Sequence, residues 1–188
     1  GFAGSWTHYL ASLSPGCRSS ELTLMKTLVV YYSRTGATRS IAEELAQSLD
    51  AEIAEITSPR FHLGPFGYLR AGFDSVRGKL PPIDAPALDF GVYDLVLVGA
   101  PIWTSYPALP VRSFFAGAQS LGRETALFFT CEGHSPVQAA VDEVRRLWPH
   151  TVKDAIAVNM KEQDEVARAN ALLDFTVRLG LEGPAGIV

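Results

Sequence analysis

Three runs dominated by apolar residues, each followed by a stretch with helical periodicity, constrain the fold of this chain more than any other feature. The runs are TLVVYY at 27–32, DLVLVGA at 94–100 and TALFFT at 125–130, and a weaker one ends at 155–158. The segment AEIAEI at 51–56 alternates, as an edge strand does. Strands that are apolar along their length are typical of parallel sheets, in which helices cover both faces. The runs therefore predict a parallel sheet that is buried on both sides.

Four other stretches carry apolar residues at the spacing of an amphipathic helix. The predicted stripes are Ile41, Leu45 and Leu49; Val111, Phe114, Phe115 and Ala118; Val137, Ala140, Val141, Val144 and Trp148; and Val166, Ala169, Leu173 and Val177. Ser135 and Pro136 precede the third stripe as an N-cap and a first-turn proline. Strands that alternate with helices in this way predict an α/β fold, a doubly wound parallel sheet with helices on both faces.

Two segments lie outside this alternation. Residues 1–24 begin at Gly1, follow no clear period and lack the basic and apolar regions of a signal peptide. We interpret them as an N-terminal extension, or as a segment added by cloning, that packs over a helix face or a neighbouring subunit, with the domain proper over 25–188. The connection over 57–93 is too long for a bare loop, and we expect a helix within it at 66–78.

Length, charge and cysteine content exclude several classes of protein. The 188 residues fit a single domain, and the net charge of −4 is unlike the basic surface of a nucleic-acid-binding protein. Cys17 and Cys131 are far apart and belong to no CxxC motif, so neither a disulfide framework nor a common zinc site is indicated. No run reaches the ~18 apolar residues of a membrane span. We therefore expect a cytoplasmic protein with free thiols, no metal and no membrane span.

The loop after the first run, Ser33-Arg34-Thr35-Gly36-Ala37-Thr38, places three hydroxyls and a glycine where a helix begins. The free N–H groups and the dipole at a helix N-terminus favour an anion, and Gly36 lets the backbone approach it. The alternative is an ordinary capped turn, which would need only one hydroxyl. The phosphate-binding patterns GxxxxGKS/T and GxGxxG are absent, and so are the first-loop cysteine of a low-molecular-weight phosphatase and the GxSxG of a hydrolase.

The loops after the next two buried runs could complete a site, because ligands of open α/β sheets bind at the carboxyl ends of the strands. The first of them, at 100–107, contains Trp103 and Tyr106 between two prolines, which suits stacking on a flat ring. The alternative is that these aromatic side chains pack back onto the core. In the second, at 130–135, Gly133 would let the backbone approach a ligand. A nucleophilic Cys131 is disfavoured because no base for it is evident.

Taken together, YYSRTGATRSIAEEL, DLVLVGAPIWTSYPALPVRSF and FFTCEGHSP resemble the flavodoxin-like FMN proteins, over residues 25–179. The similarity is to short-chain flavodoxins and to the flavodoxin-like NAD(P)H-quinone oxidoreductase group. The resemblance implies a five-stranded parallel sheet in the order 2-1-3-4-5 and FMN as cofactor. The third loop departs from the glycine-rich form of many relatives.

By this resemblance the first loop binds the FMN phosphate, the second lines the isoalloxazine, and the third closes the other edge. The implied cofactor-binding residues are Ser33, Arg34, Thr35, Gly36, Ala37, Thr38, Pro101, Ile102, Trp103, Thr104, Tyr106, Thr130, Cys131, Glu132 and Gly133.

Three functions agree with this interpretation. The chain could be an oxidoreductase that passes electrons from a reduced nicotinamide or a protein donor, an electron carrier without its own substrate, or an interaction module that has lost FMN. The long connection at 57–93 could wall a substrate pocket, and a net charge of −4 gives little steering of basic partners. We therefore favour the oxidoreductase, with a redox protein or a small molecule such as a quinone as partner and a homodimer left open.

Overall fold

The sheet has five parallel strands and one short antiparallel addition. The computed structural model of the chain describes residues 25–59, 80–133 and 137–181. Within these ranges the strands are β1 Thr27–Tyr31, β2 Glu52–Glu55, β3 Leu95–Trp103, β4 Tyr106–Pro107, β5 Glu124–Cys131 and β6 Ala155–Asn159. The parallel strands lie in the order β2-β1-β3-β5-β6, and β4 pairs only with the end of β3. The predicted doubly wound sheet is therefore confirmed. Its predicted order 2-1-3-4-5 is confirmed as well, because β5 and β6 are the fourth and fifth parallel strands when the two-residue strand β4 is not counted.

Four helices within the described residues cover the two faces of this sheet. They are α1 Ala37–Leu49, α2 Leu109–Gly117, α3 Val137–Leu147 and α4 Glu165–Arg178, and a 3₁₀ turn at Phe90–Val92 precedes β3. Helices α1 and α4 share a buried cluster with Val29 of β1, whereas α2 and α3 share the opposite cluster with its neighbour Val30. Because successive strand residues point to opposite faces, one apolar run supplies both cores.

The buried face of α4 differs from the predicted one. Val166, Leu173 and Val177 are 69%, 56% and 62% exposed, and the helix instead buries Leu172 and Phe175 against the sheet. Helix α4 has two apolar faces, one with Leu172 and Phe175 and one with Leu173 and Val177. The face that carries the Phe175 ring removes more apolar surface from water when it packs against the sheet. The prediction was therefore wrong about which stripe of α4 faces the core.

Several predicted features lie outside the described residues: the helix over 66–78, the Ser135–Pro136 start of α3 and the segment over 1–24. The base of the long connection is described, and there Thr57 and Asp84 pair through two backbone hydrogen bonds. Beside this bridge the Ser58 hydroxyl donates to the Pro82 carbonyl at 3.1 Å. None of the helices described is long and apolar enough to cross a membrane.

A buried ion pair joins α2 to α3. The Arg112 guanidinium contacts the Glu143 carboxylate, and both side chains are more than nine-tenths buried. Arg146 donates two further hydrogen bonds to the same carboxylate, at 2.8 and 2.9 Å. These bonds, and then the charge of Arg112, hold the pKa of Glu143 below its ordinary value of 4.5. The stability gained from this carboxylate is therefore present above that value and lost as the pH falls through the lowered pKa.

We expect Gly99→Ala to destabilise the fold, because Gly99 of β3 lies directly beneath the Phe128 ring of β5. A Cβ at this position would lie 2.1 Å from the nearest ring carbon, so the strands or the ring would have to move. The expected loss is about 1–3 kcal/mol in the free energy of unfolding, measured by urea denaturation.

Gly117→Ala is the matched control, since nothing lies within 4 Å of its added Cβ in α2. It should leave stability unchanged or raise it by up to about 1 kcal/mol, because alanine restricts the unfolded chain. Equal midpoints for the two variants would show that the Phe128 ring does not need the space that the absent Gly99 side chain leaves.

Candidate functional site

A cavity of about 370 Å³ lies at the edge of the sheet where the carboxyl ends of β1, β3, β5 and β6 meet. Its wall consists of Arg34, Thr35, Ala37, Thr38, Pro101, Ile102, Trp103, Thr104, Thr130, Cys131, Glu132 and Met160. A larger and more open hollow, about 560 Å³, lies beside Phe90 and Phe114, next to the segments that enter β3 and β5. Because ligands of open α/β sheets bind at the carboxyl ends, the smaller cavity is the candidate site.

The cavity brings together most of the residues that the sequence assigned to the cofactor, and four of them lie outside its wall. Ser33 and Gly36 shape the first loop without lining the cavity, and Tyr106 and Gly133 are also absent from its wall. Met160 lines the cavity although the sequence analysis did not single it out. It follows a weak strand and belongs to no glycine, hydroxyl or aromatic motif, so only the strand order could have indicated it.

The first loop leaves the N-terminus of α1 open to a ligand. Gly36 is the N-cap with φ +97°, and no side chain within the described residues caps the helix. The Ser33 hydroxyl accepts a hydrogen bond from the Gly36 N–H at 3.1 Å, which closes the turn below the helix. Unpaired N–H groups at such an end, together with the helix dipole, bind anions.

A buried hydroxyl pair joins the first loop to the third. Thr38 Oγ1 and Thr130 Oγ1 are 2.8 Å apart, and either oxygen could be the donor. The two residues are 1% and 3% exposed, so water does not compete for this bond. Thr38 is therefore both a wall residue of the cavity and a link between two of its loops.

Trp103 is shared between the core and the cavity. Its ring meets the Tyr32 ring edge-on, with centroids 5.9 Å apart, and it packs against Leu109. The two residues after it, Thr104 and Ser105, have φ of +50° and +72°, as a two-residue hairpin of the primed type requires. This turn returns the chain at once into β4, so the indole is held at the end of β3 beside the cavity.

Tyr106 belongs to the same hairpin but has different surroundings. It is 40% exposed, and the Arg112 guanidinium carbon lies 5.6 Å from its ring centroid. The side chain thus packs towards the ion pair of α2 and α3, and it does not line the cavity.

The charged groups near the cavity are unevenly placed. Arg34 and Glu132 line it, whereas Arg39 of α1 is bound to the Glu55 carboxylate at 2.7 and 2.8 Å and to the Tyr31 hydroxyl. Burial raises the pKa of the neighbouring Tyr32 to about 12, so its hydroxyl stays neutral. An anion in the first loop would therefore meet Arg34 and backbone dipoles, and Glu132 belongs to the third loop.

The third loop holds its cysteine as a buried hydrogen-bond donor. The Cys131 thiol is directed at the Val158 carbonyl at 3.8 Å, and the next residue, Glu132, pairs with Lys161. Among the described residues, no group of three or more histidine, cysteine or acidic side chains could hold a metal ion. The loop therefore offers the cavity a wall contact and no evident nucleophile.

Comparisons with known proteins agree with this architecture. The chain is similar to a flavoprotein of Lactobacillus acidophilus NCFM solved in complex with FMN, at 28% identity and a TM-score of 0.64, over 71% of this chain and 93% of that chain. It is also similar to an NADH:FMN oxidoreductase in its apo form, at 18% identity and a TM-score of 0.51, over 86% of this chain and 92% of that chain. The second likeness concerns the fold alone. No curated protein matches the chain.

The sequence profile of the flavodoxin family matches residues 26–169, which include the three loops and Met160. The resemblance expected from the loop motifs is thereby confirmed. The chain belongs to the flavodoxin family.

Proposed function

We propose that this chain is an FMN-dependent oxidoreductase that takes electrons from a reduced nicotinamide or a protein donor and passes them to a quinone-like or protein acceptor. FMN is its cofactor. The family match and the relative solved with FMN support this assignment. A cytoplasmic location is part of the proposal and rests on the cysteine usage of the sequence.

One observation carries the proposal: a single cavity combines the open N-terminus of α1 with an apolar, partly aromatic wall. In this arrangement the α1 N-terminus and Thr35 bind the phosphate, because they supply N–H and O–H donors. Ile102 and Trp103 supply flat and apolar surface for the ring system. Bound FMN supplies the electron transfer, and the protein supplies position and electrostatics.

The Thr38–Thr130 bond has a supporting role in this site. Because it connects the loop proposed for the phosphate to the loop proposed for the ring edge, it fixes the distance between the two ends of the cofactor site. Because the two residues are 1% and 3% exposed, the hydroxyls satisfy each other without water.

A flavodoxin-type electron carrier is the second candidate, and the exposed hairpin favours it. Thr104, Ser105 and Tyr106 are all exposed at the rim of the cavity, where a protein partner could dock close to the flavin. The two candidates differ in one property: an oxidoreductase must turn over small substrates, whereas a carrier needs only a protein donor and acceptor.

We expect Gly36→Ala to weaken FMN binding by tenfold or more. The variant places a Cβ at φ +97°, which strains the first loop by about 1–3 kcal/mol and disturbs the N–H groups proposed for the phosphate. Titration of the apo-protein with FMN, followed by flavin fluorescence, measures the dissociation constant. Riboflavin lacks the phosphate, so it should bind more weakly to the wild type and respond little to the substitution.

Gly180→Ala is the matched control, since Gly180 has φ +74° and open space around it but lies beyond the end of α4. It should cost stability and leave the FMN dissociation constant unchanged. Equal affinities of the wild type for FMN and riboflavin would contradict the phosphate assignment.

Trp103→Ala should weaken FMN binding by about 0.5–1.5 kcal/mol beyond the loss of apolar area, shift the reduction potential, and recover part of the flavin fluorescence that the indole quenches. Tyr106→Ala, in the same hairpin but outside the wall, is the control and should change none of these quantities. If Tyr106→Ala had the larger effect, the main aromatic contact would be with Tyr106, which the family resemblance implies as a cofactor-binding residue beside Trp103.

The visible spectrum of the purified protein is the first test of the function, because flavin bands would exclude the non-redox interaction module. Steady-state turnover with NADH or NADPH and a soluble quinone then separates the two redox candidates. Turnover that depends on bound FMN supports the oxidoreductase. A flavin that is reduced only by a protein donor would identify a carrier.

A further inference from the structure

The turn that follows β6 closes the cavity on the side away from the first loop. The strand order places β6 at the edge of the sheet next to β5, so the segment after β6 lies beside the third loop. Met160, the first residue after β6, lines the cavity together with Thr130, Cys131 and Glu132. The turn is therefore part of the same site as the three loops already described.

Hydrogen bonds fix the shape of this turn. The Asn159 side-chain oxygen accepts hydrogen bonds from the N–H groups of Lys161 and Glu162, each at 3.1 Å. The Gln163 side chain accepts one from the Asn159 N–H at 2.9 Å. The Met160 N–H donates to the Cys131 carbonyl at 2.8 Å, which continues the β5–β6 pairing by one residue. The Met160 backbone is thus held against the third loop.

A salt bridge crosses from the turn to the third loop. Lys161 Nζ lies 2.7 Å from Glu132 Oε2, and the two side chains are 65% and 69% exposed. Glu132 is the acidic residue in the wall of the cavity, so its charge lies near whatever the cavity holds. The lysine offsets that charge at close range, although water and salt screen the pair.

We propose that this turn is a fourth FMN-binding segment, in which Met160 contacts the flavin and Lys161 neutralises Glu132 beside it. The inference rests on the proposed function, since it concerns the same cofactor. A thioether adapts its shape to an aromatic surface and attracts it, which suits the side of the cavity where Thr130, Cys131 and Glu132 supply no aromatic ring. Lys161 is a positioning residue, because it acts through the carboxylate.

The chain itself provides the test of the contact, because it contains two methionines, Met25 and Met160. Protein labelled with ¹³C in the methionine methyl groups gives two signals, which Met25→Leu assigns. Titration with FMN should move the Met160 methyl signal through the ring current of the flavin. Met25 stands before β1, at the opposite end of that strand from the cavity, and its signal should stay in place.

Met160→Ala should weaken FMN binding by about 2- to 12-fold, the range of a sulfur–aromatic contact. Met160→Leu should recover part of this loss because it keeps the apolar volume. Val166→Ala, which removes an exposed aliphatic group from α4, is the control and should leave the dissociation constant unchanged. Saturable FMN binding without movement of the Met160 signal would overturn the contact and leave the proposed function standing. Failure of the wild type to bind FMN would overturn the function itself.

The role of Lys161 is tested through the reduction potential of the bound flavin. Reduction adds negative charge to the flavin, so Lys161→Gln, which leaves Glu132 unpaired, should lower the potential. Glu132→Gln should raise it, and the double variant, which removes both charges, should return close to the wild-type value. All shifts should shrink at high salt. If Lys161→Gln and Glu132→Gln both left the potential unchanged, the pair would have no influence on the flavin.

Discussion

The burial of β3 and β5 on both faces is the constraint on which the rest of the structure depends. Val96 and Leu97 of β3, and Leu127 and Phe128 of β5, are fully buried although they point alternately to opposite sides. Two central strands of this kind need helices on each face, and parallel strands need a crossover between each pair. Every crossover ends with a strand running the same way, so the loops after the strands converge at one edge. The cavity is a consequence of this topology.

The buried ion pair connects that core to the rim of the cavity. Glu143 receives Arg112 from α2 and Arg146 from its own helix, and Arg112 also lies beside the Tyr106 ring. A charge of this kind is costly to bury and costlier to leave without its partner. Arg112 therefore contacts both the carboxylate that joins α2 to α3 and the aromatic side chain of β4. The ion pair thus lies directly behind the hairpin at the rim of the cavity.

The sequence predicted the fold well because the same pattern, an apolar strand followed by an amphipathic helix, recurs along the chain. Apolar runs marked every buried strand, and a glycine among hydroxyls marked the first loop. Where the sequence failed, two residue patterns competed or no pattern existed. On α4 the stripe with Leu173 and the stripe with Phe175 are both apolar, and only the area offered to the sheet decides between them. Thr104 is β-branched, which argues against a positive φ, yet the hairpin adopts it.

The hydrogen bond between the Thr38 and Thr130 hydroxyls can run in either direction, and its direction affects the first loop. Each hydroxyl carries a single proton, so the bond between the two oxygens can point only one way at a time. When Thr130 donates, Thr38 keeps its own proton and can offer it to an anion in the first loop. When Thr38 donates, it presents lone pairs there instead. The orientation of the buried Thr130 hydroxyl thus decides whether Thr38 acts as a donor or an acceptor in the first loop. A phosphate there would favour the orientation in which Thr130 donates to Thr38 and Thr38 donates to the phosphate.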